Sequence, residues 1–517
     1  MGGCGAIESS RRAAGAVKDG AFTPGRPPAT SYAEDPTRTC SSGGVMSFLP
    51  SDVDDAAKKS GAPAAKPDGR LCAAAEALLG WDRKDPPDES VVRFISWYFG
   101  LPQPIPRVTV TPVPSEEPKN ISPMLVDPIS TYAQSAAHPR YGVATQRLKK
   151  DSTKVVILMQ DLAVEMDPVP TRLELNSQAP LKGQLTGKYS NPKLLISNVD
   201  GQLDRPAVPA GSKAFSATLR CGERPGRIQV EVHGEEQEVE SVVANFPVMC
   251  GLAPPTSVPM PAEQTTADAS RDEKKIFDAI NAERSAAGLK PLTWNDAVAG
   301  VARSAAQSYA ASNSIDIVGA LAKADVSSPL VVQNPGRART AEEAHARFSF
   351  SPTHRANYML GEINSGGVGV APGGNDPNGR PTVFLTELFI KELPPINTQE
   401  VREKLREGIA RRRKDARAPA ISPDPVLEEV AQKYAEALAA AKGNPPKDQL
   451  EAIIAPLRKP FRAVNIIAGA KNDPMEFAEE PGIVGTAKVY GLGVAEGAHP
   501  VIGKHAAYIA VLIGSRK

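Results

Sequence analysis

Few residues in this chain have the type and spacing that chemistry needs. His354 stands in Ser351-Pro352-Thr353-His354-Arg355-Ala356-Asn357, with Ser349 just upstream. A serine beside a histidine is the pairing a hydrolase uses, provided that a third group orients the imidazole. No such partner is visible around His354. A lone histidine is also a poor metal site, because zinc wants three or four protein ligands. His345, His499 and His505 are scattered and read as exposed or structural. The five cysteines, Cys4, Cys40, Cys72, Cys221 and Cys250, form no CxxC pair, so no structural zinc site is expected. Arg411-Arg412-Arg413-Lys414 is basic, but Glu403, Glu407 and Asp415 surround it, which reads as a solvated helix face. Gly373 to Gly379 is glycine-rich, yet it joins two strands and precedes no helix. It reads as a hairpin loop, not a phosphate cradle.

Composition narrows the classes further. A chain of 517 residues is too long for one core, and length alone suggests three or four domains. Hydrophobic content of 41% suffices for packed cores. The net charge of +1 gives no electrostatic case for nucleic acid or an anionic membrane. Aromatic content of 5% argues against stacking surfaces for bases or sugars. No run approaches the ~20 apolar residues of a membrane span. No cofactor or metal is implied. The 49 prolines cluster in stretches that read as linkers.

The elements that would position His354 lie between Ile276 and Ile390. Ile276, Ile280 and Ala287 recur at helical spacing, and Gly288 follows where a helix C′ glycine is usual. Asn295 or Asp296 can cap the next helix. That helix carries Val298, Val301, Ala302, Ala305 and Ala306 on one face, small enough to pack closely on a sheet.

These phrases resemble a CAP domain, the superfamily of cysteine-rich secretory proteins, antigen 5 and plant pathogenesis-related proteins. The matching residues are Ile280 to Arg284, Gly288-Leu289 with Pro291 to Trp294, Ser351 to Asn357, and Gly367 to Ala371. The resemblance covers about a quarter of the chain and implies an α/β/α sandwich. It also implies a cleft with two histidines and two acids that can bind a divalent metal. His354 matches one family histidine. Val332-Gln333-Asn334 takes the place of the family's Gly-Glu-Asn-Ile, so Gln333 supplies an amide where an acid is usual. No histidine occurs between Ser312 and Gln333, and no acid is seen near Ser351. The candidate cleft is therefore His354, Gln333, Asn334 and Asn357, with no metal ligand set and no catalytic residue assigned. Glu283 and Arg284 read as structural pairs near a helix end.

The chain also repeats itself. Ile421 to Ala431 reads like Leu292 to Ala302, and Gly491 to Ala495 like Gly367 to Ala371. In this copy Val464 stands for the acid and Ala478 for His354. A weaker copy runs from Asp68 to Ala75 and from Tyr141 to Ala144, with Gly142 matched to Gly369 and Gly493. The expected fold class is α/β: repeated CAP-like α/β/α units, one small all-β, Ig-like sandwich and a disordered N-terminus. The expected segments are 1–66 disordered, 67–166 a degenerate CAP-like unit, 167–252 the β-sandwich, 253–270 a Pro-rich linker, 271–393 the CAP domain, and 394–517 a second degenerate unit. Cys221 and Cys250 end two sandwich strands. They could pair in an oxidising compartment, or stay as buried thiols in a cytosolic one.

Met1-Gly2-Gly3-Cys4 resembles the end of a bacterial lipobox, which makes Cys4 a lipidation candidate, although no apolar h-region precedes it. The resemblance favours a non-enzymatic, extracytoplasmic binding or structural module of the cell envelope with an unknown envelope or extracellular partner. The alternatives are a carrier for lipid or another apolar ligand and a weak hydrolase centred on His354.

Overall fold

The computed structural model describes residues 14–18, 20–32, 39–83, 86–148, 151–260, 269–377 and 379–517. The chain forms two compact units. One holds residues 1–291, 336–360 and 375–383, and the other 292–335, 361–374 and 384–517.

The same local rule operates at three places. An aspartate or asparagine caps a helix by accepting hydrogen bonds from the N–H groups two and three residues on. Asp68 does so for Arg70 and Leu71, Asn295 for Ala297 and Val298, and Asp424 for Val426 and Leu427. Seven residues before each cap the chain turns through the left-handed region, at Gly61 (φ 71°), Gly288 (φ 78°) and Arg417 (φ 53°). Glycine enters that region cheaply, and it ends the preceding helix. Each cap residue also donates its own N–H to a strand carbonyl: Asp68 to Tyr141, Asn295 to Gly366 and Asp424 to Tyr490.

The front elements are α1 (Leu49–Ser60), β1 (Lys66–Pro67), α2 (Gly69–Leu78), α3 (Glu89–Tyr98), β2 (Arg107–Val113), α4 (Pro118–Ala133), β3 (Pro139–Arg147) and β4 (Thr153–Asp161). The central ones are α5 (Ala269–Ala286), β5 (Thr293–Trp294), α6 (Asp296–Ala310), α7 (Ile317–Lys323), β6 (Val331–Ala338), α8 (Ala341–Ser349), α9 (Pro352–Met359), β7 (Ser365–Asn375) and β8 (Pro381–Ile390). The last ones are α10 (Thr398–Asp415), β9 (Ser422–Pro423), α11 (Pro425–Ala440), α12 (Lys447–Ile454), β10 (Phe461–Ala470), β11 (Val489–His499) and β12 (Gly503–Arg516). Their sheets run β1-β3-β4-β2, β5-β7-β8-β6 and β9-β11-β12-β10, which is one connectivity three times. In each, the short first strand pairs parallel with the third, Pro67 opposite Tyr141, Trp294 opposite Gly366 and Pro423 opposite Tyr490.

Helix α6 buries the face read from the sequence. Val298, Ala302 and Ala305 pack with Leu388 and Ile390 in one core. Glycines let the helices lie close on the sheets. A Cβ at Gly142, Gly367 or Gly491 would strike the backbone of Leu71, Ala299 or Leu427 respectively. This corrects the expected register. Gly142 is equivalent to Gly367 and Gly491, and not to Gly369 and Gly493. Ala144 takes the latter position. A slip of two residues keeps every side chain on its own face, so the sequence pattern alone does not detect it.

Residues 164–250 build two further sheets. One has five strands, in the order Arg172–Leu173, Val239–Cys250, Gly226–Glu236, Ser190–Ser197 and Leu203–Asp204. The other has three, in the order Ala214–Arg220, Gln178–Leu185 and Val164–Met166. They share one core that includes Leu181, Leu219, Val230 and Phe246.

The expectation of disorder over residues 1–66 is corrected where residues are described. Strands Ala16–Lys18 and Ala21–Thr23 pair antiparallel, and Val258-Pro259, within the expected linker, joins them at Phe22 and Ala21. Phe22 packs against Trp81 and Tyr32 against Phe246, with ring centroids 6.2 and 4.6 Å apart. The segment is poor in apolar residues, but single rings can fill cores that other elements supply, at ~2 kcal/mol each. Helix α1 buries Leu49 and Val53, so the front unit begins well before residue 67.

Candidate functional site

His354 sits in the first turn of α9, after Ser351 at the cap and Pro352 at the first helical position. Ser351 Oγ lies 3.0 Å from His354 Nδ1 and 3.3 Å from Thr353 Oγ1. The imidazole stacks on Phe348, with centroids 5.1 Å apart and planes inclined by 24°. Asn357 follows on the same helix, half-buried. The Ser351 hydroxyl is therefore beside the histidine, within one helical turn. Ser349 turns elsewhere.

The next residue, Arg355, is 2% exposed. Its Nε donates to Glu283 Oε1 at 2.8 Å. Its Nη1 donates to Ser197 Oγ at 2.7 Å and to the Asn198 carbonyl at 2.6 Å, and its Nη2 to the Val199 carbonyl at 3.2 Å. Glu283, on α5, also accepts from Tyr358 Oη at 2.7 Å, from Ser349 Oγ at 3.2 Å and from Arg227 Nη2 at 3.1 Å. Arg227 comes from the five-stranded sheet and donates to the Ser349 carbonyl at 2.8 Å as well. Burial alone would raise the Glu283 carboxyl. The guanidiniums of Arg227 and Arg355 outweigh it, helped by the Tyr358 hydroxyl, and hold the group at about 2. Burial, and then the Glu283 charge, push the Tyr358 phenol well above its ordinary value.

Gln333 and Asn334 lie on β6, in the other compact unit. Tyr309 Oη donates to Gln333 Oε1 at 3.3 Å. Asn334 Nδ2 donates to Glu387 Oε2 at 2.9 Å, and neither side chain is exposed. Glu387 was missed in the sequence. Its signal is a carboxylate in the middle of the apolar run Val383 to Ile390. Among the described residues no group of three or more His, Cys, Asp or Glu side chains is placed to hold a metal ion.

Arg284 and Arg413 carry a second correction. Arg284 donates to the carbonyls of Lys290, Tyr358 and Leu360. Arg413 donates to those of Pro419, Ile483, Gly485 and Ala487. They are 1% and 2% exposed, so Arg413 does not belong to a solvated face. The local charge pattern hides it, because Arg411, Arg412 and Lys414 around it do read as surface.

Cys221 and Cys250 are joined by a disulfide, and so are Cys40 and Cys72, each pair with Cα atoms 5.4 Å apart. The second pairing was not anticipated from the sequence. It links the segment before α1 to α2. Cys4 lies outside the described residues. Among the described residues no helix is long and apolar enough to cross a membrane.

The family model described as the cysteine-rich secretory protein family, CAP, matches residues 277–389. This stretch is a CAP domain. No curated protein sequence matches the chain. The chain is similar to an extracellular protein containing an SCP domain from Bacillus anthracis, at 17% identity and a TM-score of 0.22, over 34% of this chain and 64% of that one. It thus spans less than two thirds of that protein's length. It is also similar to a cysteine-rich secretory protein from Staphylococcus aureus (14% identity, TM-score 0.20, 45% and 81% covered) and to an outer surface protein from Borrelia burgdorferi (16%, 0.20, 24% and 96%). The CAP stretch supplies α5, α8 and α9 to one compact unit and most of the sheet β5-β7-β8-β6 to the other.

Proposed function

We propose that this is an extracytoplasmic CAP-domain protein that acts as a non-catalytic binding or structural module of the cell envelope. In this reading the three sheets of one connectivity are three copies of the CAP unit, and the two-sheet domain is an Ig-like sandwich. One observation carries the reading. The charged residue that follows His354 serves architecture: Arg355 and its partner Glu283 fasten α9 and α5 to the strand end Ser197–Val199 and to Arg227. The two disulfides support export, because such bonds persist in oxidising compartments. They also favour peptide mapping under non-reducing conditions as a check of compartment.

The proximity of Ser351 to His354 favours a second reading, a weak hydrolase. It is the less supported of the two, because the pair is an i, i+3 contact that any serine at a helix start can make. Calorimetric titration with Zn²⁺ tests the first reading. No stoichiometric heat is expected. Micromolar binding that disappears in His354→Ala would overturn it. Turnover of a p-nitrophenyl ester that disappears in both Ser351→Ala and His354→Ala would establish the second.

A further inference from the structure

The three sheets of one connectivity end on equivalent outer strands, β2, β6 and β10. An outer strand leaves one row of N–H and C=O groups unpaired, and a proline in it removes a donor and obstructs a further strand. β2 carries Pro112 and β6 carries Pro335. β10 carries none, and at 10 residues it is longer than the other two, which have 7 and 8.

The start of β10 is bulged against β12, between Phe461 and Ala463. From Ala463 to Ala470 the pairing with Ser515 to Tyr508 is unbroken, and this stretch holds no charged residue. On the side away from β12 no strand pairs with it, and no backbone group there bonds another backbone group among the described residues. Val464 and Ile466 are partly buried against the core of α11, and Ile467 against that of α10. Ala463, Asn465 and Ala468 are exposed. Both faces of the strand are thus occupied within the fold, and its edge is open.

The flanks say what fits this edge. Arg458 and Lys459 precede the strand and Arg462 lies in the bulge. All three are exposed and make no ion pair among the described residues. Asp473, Glu476, Glu479 and Glu480 follow the strand, with Lys471 as the one cation among them. Lys471 pairs with Glu480 and lies 3.7 Å from Glu476. The strand therefore has a basic end and an acidic end. Two copies related by a two-fold axis across a sheet edge run antiparallel, which sets the basic end of each beside the acidic end of the other. With the axis at Ile466, the two Arg462 positions stand about 27 Å apart along the strands, well beyond the screening length. A parallel arrangement would set like ends together. A charged peptide would find no opposite charge along Ala463 to Ala470.

We propose that β10 is the surface through which a second copy of this chain associates, by an antiparallel β10–β10 ladder that continues the sheet from one copy into the other. One strand pair with a charged rim buries less than a standard interface, so the association is reversible, with a Kd of about 10–100 μM. The inference goes beyond the envelope-module reading and stands without it.

Sedimentation velocity of the full chain, from about 1 to 300 μM, tests it. A concentration-dependent shift from one copy to two is expected, and it should weaken as salt screens the rim. Ala468→Lys places a charge at an exposed edge position and should raise the Kd at least about tenfold, while the thermal transition stays cooperative. Arg458→Glu with Lys459→Glu should raise it about fivefold at low salt, because two acidic ends then meet. Adding Glu476→Lys and Glu479→Lys to that chain should bring it back to within about threefold of the unaltered protein. Single copies at every concentration would overturn the proposal. A dimer indifferent to both Ala468→Lys and the reversal at Arg458 and Lys459 would place the contact elsewhere and overturn it too. A reversal that the added lysines do not rescue would overturn the antiparallel arrangement.

Discussion

Helices α5 and α10 end alike and differ one residue earlier. Arg284 and Arg413 each stand eleven residues before a capping Asn295 or Asp424, and each is buried among backbone carbonyls. The preceding residue is Glu283 in one helix and Arg412 in the other. Glu283 joins four polar side chains, whereas among the described residues Arg412 pairs with the exposed Glu479, at 3.4 Å. The same contrast appears at His354 and Ala478. His354 is half-buried beside Ser351, and Ala478 is packed in the core with Leu405 and Ile409. What the two regions share is therefore the frame that ties a helix end to the loop before the third strand. What they do not share is the polar network that joins the central helices to the two-sheet domain.

The sharpest way to break this contrast is Arg355→Met. It would leave the half-buried Glu283 with one guanidinium fewer, and would leave the Asn198 and Val199 carbonyls without that donor. Breaking one partner of a buried pair typically costs 3–5 kcal/mol. Urea unfolding should show that loss, while Arg412→Met in the equivalent region should change stability by less than about 0.5 kcal/mol. Equal losses would mean that the two helix ends do the same work.

Acid should separate the regions next. The Glu283 carboxyl is held at about 2 in the folded chain, against an ordinary glutamate value near ~4.3 when unfolded. A depressed folded value stabilises above the unfolded one, and the stabilisation is lost as the pH falls through the folded one. About 3 kcal/mol should therefore disappear between pH ~5 and ~2. Glu283→Gln should flatten this part of the pH profile of the urea midpoint. An unchanged slope would assign the acid sensitivity to other carboxylates.

The shared frame predicts equality. Arg284→Ala and Arg413→Ala each remove one buried cation from three or four carbonyls, at roughly 2–3 kcal/mol apiece. Denaturant midpoints should move by similar amounts. A loss at Arg284 more than twice that at Arg413 would show that the frame serves the central region preferentially.

Much of this was legible in the sequence, and the failures have physical causes. The CAP stretch, the capping residues and the apolar face of α6 were readable because helix caps and periodicity are local signals. The register of Gly142 was not, because a two-residue slip leaves the alternation intact and only helix contact decides it. Arg413 was hidden by charged neighbours in sequence, of which Arg411 and Lys414 are exposed and Arg412 is half-buried. Phe22 and Tyr32 were hidden because each is a single ring in a polar segment, buried in a core that other elements build. At the candidate cleft, the sequence named Ser349 and Ser351 as near His354 without choosing between them, and the fold sets Ser351 beside it within one turn. Glu283, Arg227 and Ser197 come from distant segments, and no spacing rule connects them.

The smallest expected effect is at His354 itself. Its Nδ1 faces Ser351 Oγ at 3.0 Å and its ring lies on Phe348. Replacing it with alanine removes a neutral local hydrogen bond of about 1 kcal/mol and part of one ring contact, at a half-buried position where water can compensate. Arg355, on the next position of α9, keeps its four hydrogen bonds in that variant, so the helix stays fastened. His354→Ala should thus lower stability by no more than about 1 kcal/mol, roughly a quarter of the Arg355→Met loss. The ratio of the two denaturation shifts is the measurement. If His354→Ala costs as much as Arg355→Met, the imidazole belongs to the fastening network, and the line drawn between frame and cleft runs through the wrong residue.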